Sequence, residues 1–362
     1  MADPNSTLLY IPDISGFTEF VNKTEINHSR HIISELLEII INSDITNMNV
    51  SEIEGDAVLF FKEEVPSVSE LIEQSKHTFI NFHNHIQRYE KERICRCGAC
   101  ETATQLSLKF VIHKGEVEKI NIKDHHKLHG KDVILAHKLL KNSINEDEYI
   151  LVTNSFELNS GLIKMDEKEL MSIKKGTDIY NNLGKVDYSF IPIKNFLKEL
   201  AEPTQVSIPG LSHDKIVVEN TINAPIGLIY DNYTNLEKRM EWNEDIKEII
   251  EHGKSLNKTG SVHKCLVGPY SLNIESIGRM ENKDQIVYSE RLKQFKVLHD
   301  IISVYTFEKK DDKTLVKVEV DYKIKLWIIK LMKPIVRKIL IKRTLEGLKK
   351  LKQASENEAG LK

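Results

Sequence analysis

Residues 8–18 read LLYIPDISGFT, and residues 49–61 read NVSEIEGDAVLFF. The first stretch opens on an apolar run, Leu8 to Ile11, that reads as a strand. It stops at Pro12-Asp13 and turns through Ser15-Gly16 into a helical pattern. The second stretch holds two β-like runs, Asn49 to Ile53 and Ala57 to Phe61, around Glu54-Gly55-Asp56, a hairpin signal. Each stretch sets an aspartate at a strand end with a glycine close by. Phosphoryl chemistry on a nucleoside triphosphate uses that combination. Hard divalent cations take carboxylate oxygens, and a tight glycine turn lets backbone N–H groups reach phosphates. Asp and Gly are also ordinary turn residues, so either stretch alone reads as a turn.

The rest of the chain extends this frame. Ile33, Leu36, Leu37 and Ile40 fall at i, i+3, i+4 and i+7 and make one buried helix face. Ser67 to Tyr89 reads as a second helix, Leu106 to His113 as a strand, and Val133 to Leu140 as a helix. Tyr149 to Thr153 and Asp187 to Pro192 are further strands, and Asn195 to Leu200 is a closing helix. This alternation predicts an α+β domain over residues 7–200. Residues 201–212, with Pro203, Pro209 and Gly210, are the linker. The second half, 213–356, has another rhythm. A strand, Lys215 to Ile222, is followed by Ala224-Pro225, which opens a helical stretch through Tyr230 and Tyr233. Alternating runs at Ser261–Val267, Tyr270–Ile277, Gln285–Arg291, Asp300–Glu308 and Thr314–Ile324 fit an antiparallel sheet. Leu326 to Lys352 then reads as helical, interrupted only by Pro334.

The totals agree with two domains. The chain has 362 residues, 40% of them hydrophobic and 29% charged, which is a globular composition. The net charge of -3, from 51 basic and 54 acidic residues, gives no reason to expect a nucleic-acid partner. Four cysteines make no disulfide framework in a chain this long. The first residues lack the pattern of a signal peptide, and no run reaches the ~18 apolar residues of a transmembrane span. A cytoplasmic location is expected.

Three elements together resemble the class III nucleotidyl cyclase catalytic domain. They are Asp13-Ile14-Ser15-Gly16-Phe17-Thr18, then Gly55-Asp56-Ala57 between apolar strands, then Ile112-His113-Lys114-Gly115-Glu116-Val117. Their order and approximate spacing match over roughly residues 7 to 195. The resemblance implies a cyclase-like α/β sandwich on a ferredoxin-like core. It implies two Mg²⁺ or Mn²⁺ ions on Asp13 and Asp56, helped by the Ile14 carbonyl, and a nucleoside triphosphate at Ser15, Gly16, Phe17 and Thr18. Glu52, four residues before Asp56, stands where the family reads the base, and a carboxylate there suits the N1–H and N2–H of guanine; a solvated strand residue is the other reading. The family's sites form between two such domains, which implies a homodimer.

The chain departs from that family in one later element. Gly130, Val133 and Ala136 keep the frame, but Ile134 replaces the Asn that positions the ribose, and Lys138 replaces the Arg that stabilises the transition state. Lys keeps the charge and loses the bidentate fork. Lys127 stands where the family has a second base reader. Two readings follow: a divergent cyclase that binds Mg-NTP and forms a cyclic nucleotide, with Lys138 in the catalytic place, or an inactive scaffold within a ligand sensor.

Cys95, Cys97 and Cys100 are spaced C-x-C-x-x-C and could hold a structural Zn²⁺ with a fourth ligand from elsewhere; an exposed thiol loop or a disulfide-exchange site is the alternative. His125, His126 and His129 read as a solvated loop rather than a metal cluster. The strand before Asn223-Ala224-Pro225, Trp242-Asn243, the antiparallel run and the long last helix resemble a START-like (SRPBCC) helix-grip domain. That implies a curved sheet gripped by the C-terminal helix around a hydrophobic small molecule or lipid. The last helix mixes Ile335, Ile339 and Leu340 with Lys338, Lys342 and Arg343. Its apolar face is expected to cover the cavity, with membrane contact as the alternative.

Overall fold

The computed structural model describes residues 6–23, 26–94, 96, 102–123, 125–156, 162–166, 169–202, 207–251, 258–268, 270–293, 298–325 and 332–360. The chain is α+β and divides into two compact units. One is Met1–Gln87 with Thr102–Pro203; the other is Arg88–Glu101 with Thr204–Lys362.

The first unit holds strands β1 (Ser6–Ser15), β2 (Asn49–Glu54), β3 (Ala57–Lys62), β4 (Ser107–Glu116), β5 (Glu118–Ile122), β6 (His125–His129), β7 (Tyr149–Thr153), β8 (Leu162–Asp166), β9 (Glu169–Ser172), β10 (Lys174–Tyr180) and β11 (Gly184–Pro192). Helices α1 (Phe17–Lys23), α2 (Ile26–Asn42), α3 (Val68–Glu92) and α4 (Lys131–Leu139) belong with them, α3 running on into the second unit. Its main sheet has seven strands in the order β10-β11-β7-β4-β1-β3-β2. β1 is central and covered on both faces, which is why Leu8 to Ile11 is apolar without alternation. Leu9 and Ile11 pack with Val133, Ala136 and Leu139 of α4, while the Tyr10 hydroxyl, on the other face, donates to Ser75 of α3 at 3.2 Å. Pro12 is tolerated in this central strand because the β1–β3 ladder skips Ile11 and Pro12, while pairing to β4 runs unbroken. β4 and β7 pair in parallel, and the other ladders of this sheet are antiparallel.

Some elements differ from the sequence reading. The closing helix is a 3-10 turn, Lys194–Glu199. The histidines expected in a loop lie on β6, paired with β5. His83 and His85 face carboxylates, with Nε2 2.6 Å from Glu148 and 3.0 Å from Glu35.

The second unit holds β12 (Ile216–Ile222), α5 (Ile226–Thr234), α6 (Leu236–Trp242), β13 (Ile246–Glu251), β14 (Val262–Val267), β15 (Tyr270–Glu281), β16 (Gln285–Lys293), β17 (Ile301–Lys310), β18 (Lys313–Asp321) and α7 (Lys333–Glu358). Its sheet is a curled antiparallel half-barrel ordered β12-β18-β17-β16-β15-β14-β13, with bulges near Gly278 and Glu248 that help it bend. Alternate residues face inward: Ile286, Tyr288 and Glu290 on β16, Ile301, Ser303 and Phe307 on β17. Ile94, far away in sequence, is fully buried in this core beside Tyr230, whose hydroxyl donates to the Ile94 carbonyl. The same segment is tied down where the Thr259 N–H donates to the Glu92 carbonyl at 2.8 Å.

α7 begins at Lys333 and takes Pro334 into its first turn, where a missing N–H costs no helical bond. Residues 326–331, read as its start, lie outside the described residues. Leu348, Leu351 and Ser355 are its buried residues, whereas Ile335 and Ile339 are exposed. The apolar cover therefore comes from the C-terminal half, helped by partly buried Val336, Leu340 and Ile341.

Candidate functional site

The ends of β1 and the β2–β3 hairpin meet. Asp13 pairs with Ala57 across the ladder, and the Ile14 N–H donates to the Asp56 carbonyl at 3.1 Å. This bond fixes the two aspartates against each other. Gly55 and Gly16 both have left-handed φ, +62° and +86°, so each turn needs a residue without Cβ. After Gly16 the chain enters α1 with the Phe20 N–H on the Gly16 carbonyl. Ser15 and Phe17 are half-buried there, and Thr18 is exposed.

Asp13 is buried, and burial raises its pKa although the Lys109 ammonium opposes the rise. Asp56 is pushed up to about 6, first by burial and then by repulsion from Asp13. Two carboxylates crowded together with too little positive charge favour either a proton or a cation. Lys109 supplies part of the missing charge: its Nζ lies 3.0 Å from Asp13 Oδ2 and donates to the Leu140 carbonyl at 3.1 Å. The donor set, two carboxylates with the Ile14 carbonyl nearby, suits a hard divalent ion.

The His113-Lys114-Gly115 element is a latch. His113 sits between Thr153 Oγ1 at 2.7 Å and Asp132 Oδ1 at 3.2 Å. The other Asp132 oxygen accepts from the Glu116 N–H at 2.9 Å. A Cβ at Gly115 would stand 2.3 Å from the Asp132 carboxyl carbon, so only glycine lets Asp132 reach the strand. Burial lowers the His113 pKa, with Asp132 opposing. The latch fixes the first turn of α4, and hence the direction of the residues that follow.

Glu52 is met from β6 by Lys127 and from α4 by His137. Lys127 Nζ lies 3.2 Å from Glu52 Oε2, and His137 Nε2 lies 3.5 Å from Glu52 Oε1. His137 Nδ1 is 3.5 Å from Glu54, and ligand atoms of Glu52, Glu54 and His137 all fall within 4.8 Å of one another. Lys127 occupies one edge of this group, and its ammonium opposes a second cation there. Ile134 and Lys138 are exposed, one helical turn apart on the outward face of α4.

Two of these residues were not foreseen. Lys109 sits in a strand marked in the sequence by its apolar residues, and His137 stands within the 130–138 element with nothing to mark it. A basic residue in the strand facing Asp13 was the available signal. Cys95, Cys97 and Cys100 lie outside the described residues.

Parts of the chain are similar to known proteins. The family described as a protein of unknown function (DUF2652) matches residues 33–149. The uncharacterized Mycobacterium tuberculosis protein Rv2561/Rv2562 is 32% identical over 122 residues, 34% of this chain and 57% of that protein. The chain thus spans little more than half the length of that relative. A guanylate cyclase domain of RhGC from Catenaria anguillulae, solved in complex with GTP, is similar at a TM-score of 0.35 and 15% identity, over 52% of this chain and 96% of that one. A START superfamily protein from Mycobacterium smegmatis is similar at a TM-score of 0.32 and 22% identity, over 40% of this chain and 97% of that one. These are likenesses of fold, and a fold does not settle a function. Among the described residues, no helix is long and apolar enough to cross a membrane.

Proposed function

We propose that the first unit is a divergent, cyclase-like domain that binds a Mg- or Mn-nucleoside triphosphate, working as a homodimer, and that a hydrophobic ligand in the second unit modulates it. The observation that carries this reading is the crowding of Asp13 and Asp56, whose carboxylates are pushed toward protonation where a cation would relieve them. Bound there, divalent metal would neutralise triphosphate charge. The chain's own part is to hold both carboxylates by the Ile14–Asp56 backbone bond, to offer the Gly16 turn to the phosphates, and to present Glu52 and Lys127 to the base. A guanine edge fits this pair: Glu52 accepts from N1–H and N2–H, and Lys127 donates to O6.

Cyclisation joins the ribose 3′-oxygen to the α-phosphorus and expels pyrophosphate. Removing one transition-state donor typically costs about 10²–10³ in rate. Ile134 offers no donor to the ribose and Lys138 offers no fork, so turnover is slow relative to binding. The second reading, a nucleotide-binding scaffold without turnover, is favoured by the same two residues.

The test incubates full-length protein with each NTP and Mg²⁺ or Mn²⁺, reading NTP binding, cyclic nucleotide and pyrophosphate, with Asp56→Ala alongside. Metal-dependent binding that is lost in Asp56→Ala supports the site, and product supports the cyclase. Binding without product leaves the scaffold. Absence of metal-dependent binding of any NTP refutes both.

A further inference from the structure

The interior of the second unit carries a charged and aromatic cluster that the nucleotide site does not use. Glu290, 2% exposed, stands on the inner face of β16. It accepts from Arg239 Nη1 at 3.2 Å, from the Tyr233 hydroxyl at 2.8 Å and from the Tyr305 hydroxyl at 3.3 Å. Arg239 lies over the Tyr233 ring at 4.4 Å from its centroid. Across the sheet Glu290 is flanked by Ser276 and Ser303. A buried ion pair stabilises a fold less than well-packed apolar residues of the same volume, so its presence in a core asks for another reason.

Two polar atoms here have no hydrogen-bond partner: His263 Nε2 and Arg239 Nε. His263 is 3% exposed, on β14, and pairs with Ile274 in the row beside Ser276 and Glu290. Burial lowers its proton affinity most, Arg239 lowers it further and Glu290 raises it. Buried polar atoms are nearly always satisfied, and one left over is costly. Both atoms belong to one cluster, in which the Tyr233 ring covers Arg239 and the Tyr233, Tyr288 and Tyr305 hydroxyls border Glu290.

We propose that this interior reads an uncharged oxygen, hydroxyl or carbonyl, on an otherwise apolar aromatic-sized ligand, through His263 Nε2 and Arg239 Nε. The head is uncharged because Glu290 already cancels Arg239. A carboxylate would add a lone buried charge, which costs several kcal/mol. The aromatic walls favour a flat body, since ring pairs add attraction beyond buried area. The proposal rests on the START-like reading of this unit.

The test titrates full-length protein with naphthalene, 2-naphthol and 2-naphthoate, which share one body and differ in the head. One hydrogen bond to a buried, otherwise unpaired group gives about tenfold in affinity. The expected result is 2-naphthol about tenfold tighter than naphthalene, with 2-naphthoate no tighter than naphthalene. His263→Leu should bring 2-naphthol to the level of naphthalene and leave naphthalene within about twofold. His263→Gln, whose amide nitrogen falls near the Nε2 position, should keep most of the preference. Equal binding of naphthol and naphthalene overturns the proposal and keeps the apolar cavity; binding of none overturns both. Tighter 2-naphthoate, or a preference that survives His263→Leu, also overturns it.

Discussion

The Arg239–Glu290 pair allows a sharp energetic test. Glu290 has four partners within the core: Arg239, Tyr233, Tyr305 and, at 3.5 Å, Tyr288. Arg239 has fewer, Glu290 and a 3.1 Å bond from Nη2 to the Tyr233 oxygen. Breaking a buried pair by removing one charge costs about 3–5 kcal/mol, because the other stays buried and uncompensated. Glu290→Gln strands the poorly partnered cation and should fall at the high end of that range. Arg239→Met leaves a carboxylate still held by tyrosine hydroxyls and should fall at the low end. The double variant Arg239→Met/Glu290→Leu strands nothing. It should cost less than either single variant, giving a coupling of several kcal/mol where independent sites add within about 0.5. Urea unfolding followed by tryptophan fluorescence reads this unit selectively, because both tryptophans, Trp242 and Trp327, belong to its span. Additive single costs would refute the claim that the two charges depend on each other.

Three other outcomes are expected. Burial, with Arg239, holds His263 at about 4 against an ordinary 6.5, so the unfolded chain protonates first; stability is full above pH 6.5 and drops by up to ~3 kcal/mol as pH falls toward 4. His263→Leu should flatten that acid limb in pH-dependent urea midpoints, and an unchanged slope would contradict the assignment. Ile94→Ala should lower the urea midpoint of the tryptophan transition by about 2–5 kcal/mol equivalent, as for other large-to-small core changes, although position 94 precedes the linker; no shift would contradict its place in that core. Gly115→Ala drives a methyl into the Asp132 carboxyl and should break the His113 latch, seen as loss of α4 amide protection in hydrogen exchange; retained protection would show that the latch yields without cost.

The sequence signalled local chemistry better than distant assembly. Asp13 and Asp56 were readable because each sits in a turn whose glycine requirement is written in adjacent residues. The bond that joins those turns, Ile14 to Asp56, spans two strands and left no mark at either site. Lys109 was hidden for the same reason: its partner Asp13 faces it across a ladder rather than along the chain. The His-x-Gly element was seen as a family mark, and its physical reason appeared only with Asp132 packed against Gly115. In the second half, the alternating strands announced the sheet. Alternation marks which positions face inward but not which of them bond, and Arg239 and Glu290 stand 51 residues apart. Nothing near Ile94 in the chain marks its burial beside Tyr230 and Phe307.

The first unit's residues divide by what they can do alone. Asp13, Asp56 and Lys109 form one charge-balancing group within a single chain, and Glu52, Lys127 and His137 form another. Both groups can act in binding, since each is already held by its own ladder or latch. Turnover asks more, because the donors that respond to charge developing on the α-phosphate must be fixed before it develops. On the proposed reading that task falls to the outward face of α4, where Ile134 is 52% exposed and Lys138 is exposed beside it. An exposed isoleucine supplies no donor, yet it supplies apolar area that a second copy could cover. On the proposed homodimer reading, the same two positions weaken the chemistry and leave association with a second copy intact. On the proposed reading, the unit keeps affinity for a nucleotide and gives up rate, because binding needs only the two held groups while turnover needs the missing donors.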